Sequence, residues 1–308
     1  MRIFVVPLFY QYNIMNISKV INFVQKNWLL KNVNLQLLQN KGDRFVYKIK
    51  ADQGIYVIKI ANSAKSYEEI IHDLYIYDIG QKEGFKNIPK LLKTIDKQNV
   101  FPYEGRFSFI MEYIDGGNPE GTKKDWEKMA ILTGQLHNIK NCPHRTSLTL
   151  ASEKKWILKQ SQQLSFGKEY KKLFDGLIDF SQFPQTFIHT DIGLHNCAKN
   201  KNGEIFFLDW DGAGVGSRIL DIGFPLISQL IGSDFSIQEE HIKAFYQTYF
   251  EHTKTPVLRE EKEAIFDASL FFALIYVPYG DIYKNWEKVK YAIKNKDYLL
   301  SLILKPVM

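Results

Sequence analysis

Several side chains between Phe187 and Asp211 carry hard donor atoms at spacings that suit one kind of chemistry. The run reads FIHTDIGLHNCAKNKNGEIFFLDWD. Asp191, on a tight loop after an apolar strand, can accept a proton from an incoming hydroxyl. Asn196 offers a neutral amide oxygen, and Asp209 a carboxylate at the end of the next apolar run. Oxygen donors of this kind are what Mg²⁺ prefers. Phosphoryl transfer to a hydroxyl needs a carboxylate beside the incoming group, oxygen ligands for the metal and a cation for the phosphates. A cation stands upstream. In Ile55-Tyr56-Val57-Ile58-Lys59-Ile60 alternate residues share a face, so Lys59 lies beside Val57 and Ile55. An ammonium on an apolar strand face needs an anionic partner, because burying it alone is costly.

The elements that must position these groups follow from period and punctuation. Asn16 and Ser18 can cap a helix whose apolar residues are Val20, Ile21, Phe23, Val24, Trp28 and Leu29. Strand-like runs at 35–38, 45–50 and 55–60 read as an antiparallel meander, the last two joined by Ala51-Asp52-Gln53-Gly54. Residues 63–80 read as a helix, and 90–95 and 107–113 as strands. After the breaker Asp115-Gly116-Gly117-Asn118-Pro119, helical period dominates at 126–139, 153–163, 170–180, 237–250, 259–276 and 283–304. A strand pair at 186–189 and 204–209 interrupts the helices. The expected fold class is α+β, a small antiparallel sheet lobe over 1–113 followed by a larger, mainly helical lobe over 114–308. Residues 1–14 stand apart as an extension of the first lobe.

His189-x-Asp191 with Asn196 five residues on, followed by Asp209-Trp210-Asp211, resembles the aminoglycoside phosphotransferase and choline kinase superfamily. Members of that superfamily have a bilobed, protein-kinase-like fold and act mostly on small molecules. Protein kinases carry His-Arg-Asp and Asp-Phe-Gly at these places. The likeness extends from about residue 30 to 300, but only the catalytic segment is specific. It implies a nucleotide-binding first lobe and a catalytic, acceptor-binding second lobe. It further implies that Asp191 is the base and that Asn196 and Asp209 hold Mg²⁺. His189 then braces the catalytic loop, Asp211 supports it, and Asp221 ties the later segment back to it. Lys59 would contact the α- and β-phosphates of ATP (or GTP), and Val57 would line the adenine. Gly42, in Asn40-Lys41-Gly42-Asp43-Arg44, matches a shortened phosphate-covering loop. Glu68, Glu69 and Asp73 on the next helix are alternatives for the carboxylate that pairs with Lys59, with Glu69 favoured. Residues 109–116 match the hinge, where Glu112 and Ile114 offer backbone groups and Met111 backs the pocket. His137, in a leucine–histidine pair near a helix end, reads as a packing residue.

The acceptor pocket of the superfamily is built from helices around the catalytic loop, which makes Trp210, Asp234, Tyr276, Tyr279, Asp281 and Trp286 candidate lining residues. Aromatics with carboxylates would cage a quaternary amine such as choline. Carboxylates alone would hold the ammonium groups of an aminoglycoside. A hydroxyl on a sugar or an amino alcohol suits either. A non-catalytic binding protein of the spore-coat kind is the alternative reading, and the intact set Lys59, Asp191, Asn196 and Asp209 weighs against it. A protein kinase is disfavoured because 210–221 is too short for a long activation segment and no Ala-Pro-Glu follows.

Composition narrows the partners. The 308 residues are 45% hydrophobic and 24% charged, which is ordinary for a globular chain. Lys plus Arg is 40 against 34 Asp plus Glu, a net charge of +6 with no dense basic stripe, so no nucleic-acid partner is expected. No apolar run reaches the roughly 18 residues of a membrane span. Met1–Tyr10 lacks the long apolar core and cleavage site of a signal peptide. Cys142 and Cys197 read as reduced thiols, and the expected location is the cytoplasm. A monomer or homodimer is expected.

Overall fold

A computed structural model describes residues 15–41, 43–141 and 148–304. The chain forms two units. One comprises the chain up to Tyr77 together with Pro89–Ile114, and the other comprises Asp78–Ile88 together with everything from Asp115. A single cut after residue 113 would instead leave Asp78–Ile88 with the first unit.

The first unit begins at α1 (Ile17–Trp28), where the Asn16 side chain accepts the Lys19 N–H at 3.2 Å. Val20, Val24 and Trp28 recur every fourth residue and form its buried stripe. That stripe faces a sheet formed by β1 (Asn34–Lys41), β2 (Arg44–Ala51), β3 (Gly54–Ile60), and, after α2 (Tyr67–Lys82), β4 (Leu91–Leu92), β5 (Phe101–Tyr103) and β6 (Arg106–Glu112). Strand order is β1-β2-β3-β6-β4, with β5 also on β6, and every pairing is antiparallel. The Trp28 indole N–H donates to the Leu92 carbonyl at 2.9 Å and fixes the helix to the sheet. Phe45, Tyr47, Ile49, Ile58 and Ile60 join the helix stripe in one cluster. Val57 and Lys59 are also buried, but alternation sends them to the other face of β3.

The second unit is mainly helical. Its elements are β7 (Gly116–Gly117), α3 (Lys123–Leu136), α4 (Leu150–Ser161), α5 (Gly167–Asp175), β8 (Gln185–Ile188), β9 (Cys197–Asn200), β10 (Ile205–Phe207), β11 (Gly214–Ser217), α6 (Arg218–Ser228), α7 (Glu239–His252), α8 (Arg259–Tyr276), α9 (Ile282–Lys294) and α10 (Lys296–Leu304). α6 packs on α8, and α3 on α7. Gly223 permits the first contact, because a Cβ there would lie 2.6 Å from the Ala268 Cβ and 2.9 Å from the Ser269 nitrogen. No helix among the described residues is long and apolar enough to cross a membrane.

The strands differ from the expected pairing of 186–189 with 204–209. β8 pairs β11, while β10 pairs β9 and β9 pairs β7. The turn at Asn202-Gly203, with Gly203 at φ +75°, closes a local hairpin that takes up β10. α6 went unread in the sequence because Gly223 and Pro225 lie inside it. The helical period over 283–304 breaks at Asn295 into α9 and α10.

Two cations, one buried and one half-buried, set measurable limits. Arg218 grips Glu261 through Nε and Nη2, both at 2.8 Å, and also donates to the Thr255 and Pro256 carbonyls. Both side chains are buried, so Arg218→Ala should cost about 3–5 kcal/mol in urea unfolding by stranding the carboxylate. Lys288 caps the end of α6 by donating to the Ser228 carbonyl at 3.1 Å. Burial, with help from nearby Lys284, lowers its pKa to about 8. The folded chain therefore sheds this proton before the unfolded chain does, and Lys288 adds stability as pH rises from 8 toward its ordinary value. Wild type should gain on Lys288→Met over that window, as read by melting at fixed pH steps.

Candidate active site

β8 delivers the chain to His189, and everything that follows hangs on Asp221 in the first turn of α6. Asp221 has no exposed surface. Its carboxylate accepts the His189 N–H at 2.8 Å and the Thr190 N–H at 2.6 Å. It also accepts from His137 Nε2 at 3.1 Å. With that nitrogen donating, His137 Nδ1 accepts the Tyr249 hydroxyl at 2.7 Å. Burial pushes the Tyr249 hydroxyl pKa up, so it stays a donor. Thr190 sits at φ +76°, a region that disfavours β-branched residues. The Asp221 bond to its N–H offsets that strain. His137, expected to pack, does so and also carries a link in this chain.

His189 couples two stretches of backbone. Its Nε2–H donates to the Leu208 carbonyl at 2.8 Å, and its Nδ1 accepts the Asp191 N–H at 3.3 Å. Both nitrogens are satisfied by the neutral Nε2–H imidazole. The ring lies 4.5 Å from that of Trp210, which is itself buried among Phe85, Phe187 and Phe207. One imidazole thus ties the Asp191 backbone to the residue preceding Asp209.

Asn196 Nδ2 donates to the Asp191 carboxylate Oδ2 at 2.7 Å and to its carbonyl at 3.1 Å. This turns the amide nitrogen toward Asp191 and the amide oxygen away from it. His195 Nε2 lies 3.4 Å from Oδ2, and the Asp191 carboxylate raises the His195 pKa. Asp191 Oδ1 is buried without a hydrogen-bond partner. Asp209 adopts φ +58°. Asp191, Asp209 and Asp211 line a cavity of about 250 Å³ with Thr190, Gly212, Leu148, Glu153, Phe272, Ile275 and Tyr276. Gly212 is small for a reason, since a Cβ there would come within 2.6 Å of the Thr190 Oγ1. Burial and the Asp191 charge raise the Tyr276 hydroxyl pKa, so it remains a phenol.

Of the residues expected to line an acceptor pocket, Tyr276 lines this cavity. Trp210 and Trp286 instead belong to the core, the latter stacked on Phe166 at 4.4 Å. Asp281 caps α9 by accepting the Lys284 N–H, and Asp234 holds a turn through Ser236. Tyr279 is exposed and stacks on Trp156. Glu153, Leu148, Phe272 and Ile275 were missed. They sit on helices or loops with no motif, and Glu153 carried only the signal of a first-turn helix acid.

In the first unit, Val57 pairs with Met111 and Lys59 with Phe109 across β3 and β6. The Tyr77 hydroxyl donates to the Met111 sulfur at 3.7 Å. The Glu112 N–H donates to the Lys90 carbonyl, which leaves the Glu112 carbonyl as its backbone group to consider for a base. Ile114 ends the unit, half-buried. Glu69 closes a capping box with Ser66 and is exposed. Asp73, one turn on, is the buried carboxylate of that helix face and pairs with Lys65. Gly42 lies outside the described residues, as does Cys142. Beside Gly42, the Asp43 carboxylate accepts the Ser63 N–H at 2.9 Å and its hydroxyl at 2.5 Å, which lowers its pKa.

Among the described residues no three His, Cys, Asp or Glu side chains are grouped to hold a metal ion. The amide oxygen of Asn196 and the carboxylate of Asp209 are nonetheless hard donors that fit Mg²⁺ when phosphate and water complete its shell.

Residues 36–260 match the model of the phosphotransferase enzyme family, and the chain belongs to that family. Solved structures of the same protein-kinase-like fold include an amicoumacin kinase in complex with AMP-PNP, Ca²⁺ and amicoumacin. It shares 14% identity at a TM-score of 0.64 and covers 91% of this chain and 93% of its own. The choline kinase LicA from Streptococcus pneumoniae shares 13% at 0.60, covering 92% and 99%. A spectinomycin phosphotransferase with ADP and spectinomycin shares 15% at 0.57, covering 93% and 97%. A comparison with curated protein sequences found no match. The chain is thus a kinase-type phosphotransferase of this family, with a protein-kinase-like fold.

The buried network orders its parts by cost. Asp221→Ala strands two backbone N–H groups and should cost about 2–5 kcal/mol, whereas Tyr249→Phe removes one outer bond and should cost about 1 kcal/mol. Chemical denaturation of the two variants side by side checks the order.

Proposed function

We propose that the protein transfers the γ-phosphoryl group of ATP to the hydroxyl of a small, positively charged amino alcohol. The observation that carries this reading is the Asp191 carboxylate. One oxygen is held by Asn196, the other has no hydrogen-bond partner, and the residue lines a cavity. An acceptor hydroxyl placed there would give its proton to the Asp191 carboxylate as its oxygen bonds to the γ-phosphorus. The bond from that phosphorus to the ADP oxygen then breaks. Asn196 keeps the carboxylate turned for this, and His189 keeps the Asp191 backbone in register.

Asn196 and Asp209 would hold Mg²⁺, which when bound offsets the charge of the phosphates. In the first unit, Lys59 would meet the nucleotide phosphates, supported by the acidic face of α2 that carries Glu69 and Asp73. Val57, Met111 and the backbone at Glu112 and Ile114 would receive the base. The acceptor's charge follows from the cavity wall. Its ionisable lining among the described residues is Glu153, Asp191, Asp209, Asp211 and the phenol of Tyr276, with Phe272 and Ile275 as apolar surface. Carboxylates beside aromatic rings favour an ammonium group over a neutral sugar.

The test pairs binding with turnover. Mg-ATP should raise the melting temperature, and ADP release should respond to choline, ethanolamine or aminoglycosides but not to neutral sugars. Asp191→Ala should keep the nucleotide shift and lose about 10²–10⁴-fold in kcat. A folded protein with no nucleotide shift would instead support the non-catalytic binding reading.

A further inference from the structure

The loop that carries Asp191 has a second brace that the motif does not contain. Gln229, at the end of α6, uses both ends of its amide. Its Oε1 accepts the Leu194 N–H at 3.0 Å, and its Nε2 lies 3.3 Å from His195 Nδ1. An amide NH₂ can only donate, so Nδ1 must be the lone-pair nitrogen and His195 must carry its proton on Nε2. That Nε2 is the atom beside Asp191, 3.4 Å from Oδ2 and 3.3 Å from Oδ1. Gly193 fits the same arrangement. A Cβ on it would fall 2.1 Å from Gln229 Nε2 and 2.6 Å from His195 Nδ1. The end of α6 is itself held, by Lys288 on the Ser228 carbonyl.

We propose that Gln229 is a positioning residue for Asp191, acting through His195: it fixes the imidazole so that an N–H, not a lone pair, faces the carboxylate. Two N–H donors then steady the carboxylate, Asn196 on Oδ2 and His195 beside both oxygens. The catalytic part of this inference rests on Asp191 being the base.

Three variants separate the possibilities. Gln229→Glu keeps the acceptor for Leu194 but loses the donor to His195. Gln229→Leu loses both. Gly193→Ala keeps Gln229 but displaces its amide, at a φ that alanine tolerates. All three should retain the melting-temperature rise with Mg-ATP and should lose about 10–100-fold in kcat, with little change in acceptor KM. His195→Gln, which can still offer an N–H, should recover most of the activity that His195→Leu loses. Independently of turnover, long-range ¹H–¹⁵N spectra of the imidazole rings should show His195 as the Nε2–H form in wild type and as a tautomer mixture in Gln229→Leu. A wild-type His195 protonated on Nδ1 would overturn the proposal. So would Gln229→Leu and Gly193→Ala that change neither kcat nor the ring signals. If wild type neither binds nucleotide nor turns over any acceptor, the phosphotransferase reading fails and takes the catalytic role with it, while the ring signals still report whether the bridge exists.

Discussion

A carboxylate with no exposed surface needs several hydrogen-bond donors, and Asp221 obtains most of them from the loop it organises. Two are the consecutive backbone N–H groups of His189 and Thr190, and the third is the imidazole of His137. An unpaired buried anion would be expensive, so the loop and the carboxylate stabilise each other. Because consecutive N–H groups can reach one carboxylate only when the chain turns sharply, Thr190 is drawn to φ +76°. The turn puts Asp191 on the cavity wall. The rest of the site follows from that placement, since Asn196 and His195 both address the Asp191 carboxylate.

A second constraint acts at Asp209, which also has positive φ. Such a backbone persists only where its surroundings determine it. Here the neighbour on one side, Leu208, has its carbonyl bonded to His189 and its N–H bonded to the Asn196 carbonyl. On the other side Trp210 is locked in an aromatic cluster with Phe85, Phe187 and Phe207. The tryptophan between the two aspartates is therefore an anchor. Its packing fixes where the flanking carboxylates emerge, and that explains a large side chain at the centre of a polar motif.

The sequence made some of this legible and hid the rest for identifiable reasons. The alternation around Lys59 predicts its burial on the face away from Ile58 and Ile60, because a strand's period is local. The order of His189, Asp191, Asn196 and Asp209 is likewise carried by a short run whose spacing is set by one hairpin. Strand partners were not legible, since β8 finds β11 across a whole hairpin and apolar runs do not name their neighbours. α6 was hidden because tertiary packing against α8 overrides the local cost of Gly223 and Pro225. Trp286, a candidate lining residue in the sequence, lies in the core, because an aromatic at helical spacing looks the same in either role.

The cavity-lining residues outside the motif are the hardest to read for a related reason. Under the proposed function Asp191 meets the incoming hydroxyl, which would constrain its neighbours in sequence. Glu153 and Phe272 need only reach the same cavity, and many helix positions would let a side chain do that. Glu153 lies in the first turn of α4, where an acid is already favoured by the helix dipole, so its presence there needs no ligand to explain it. Phe272 is buried in α8 against Phe224 and Phe271, where packing alone would keep it. Both residues therefore satisfy the fold first, and their place in the cavity wall is visible only once the helices are assembled. The motif is written into one contiguous segment, whereas the cavity wall is written into the relative placement of α4, α8 and the loop from β8, which no local spacing encodes.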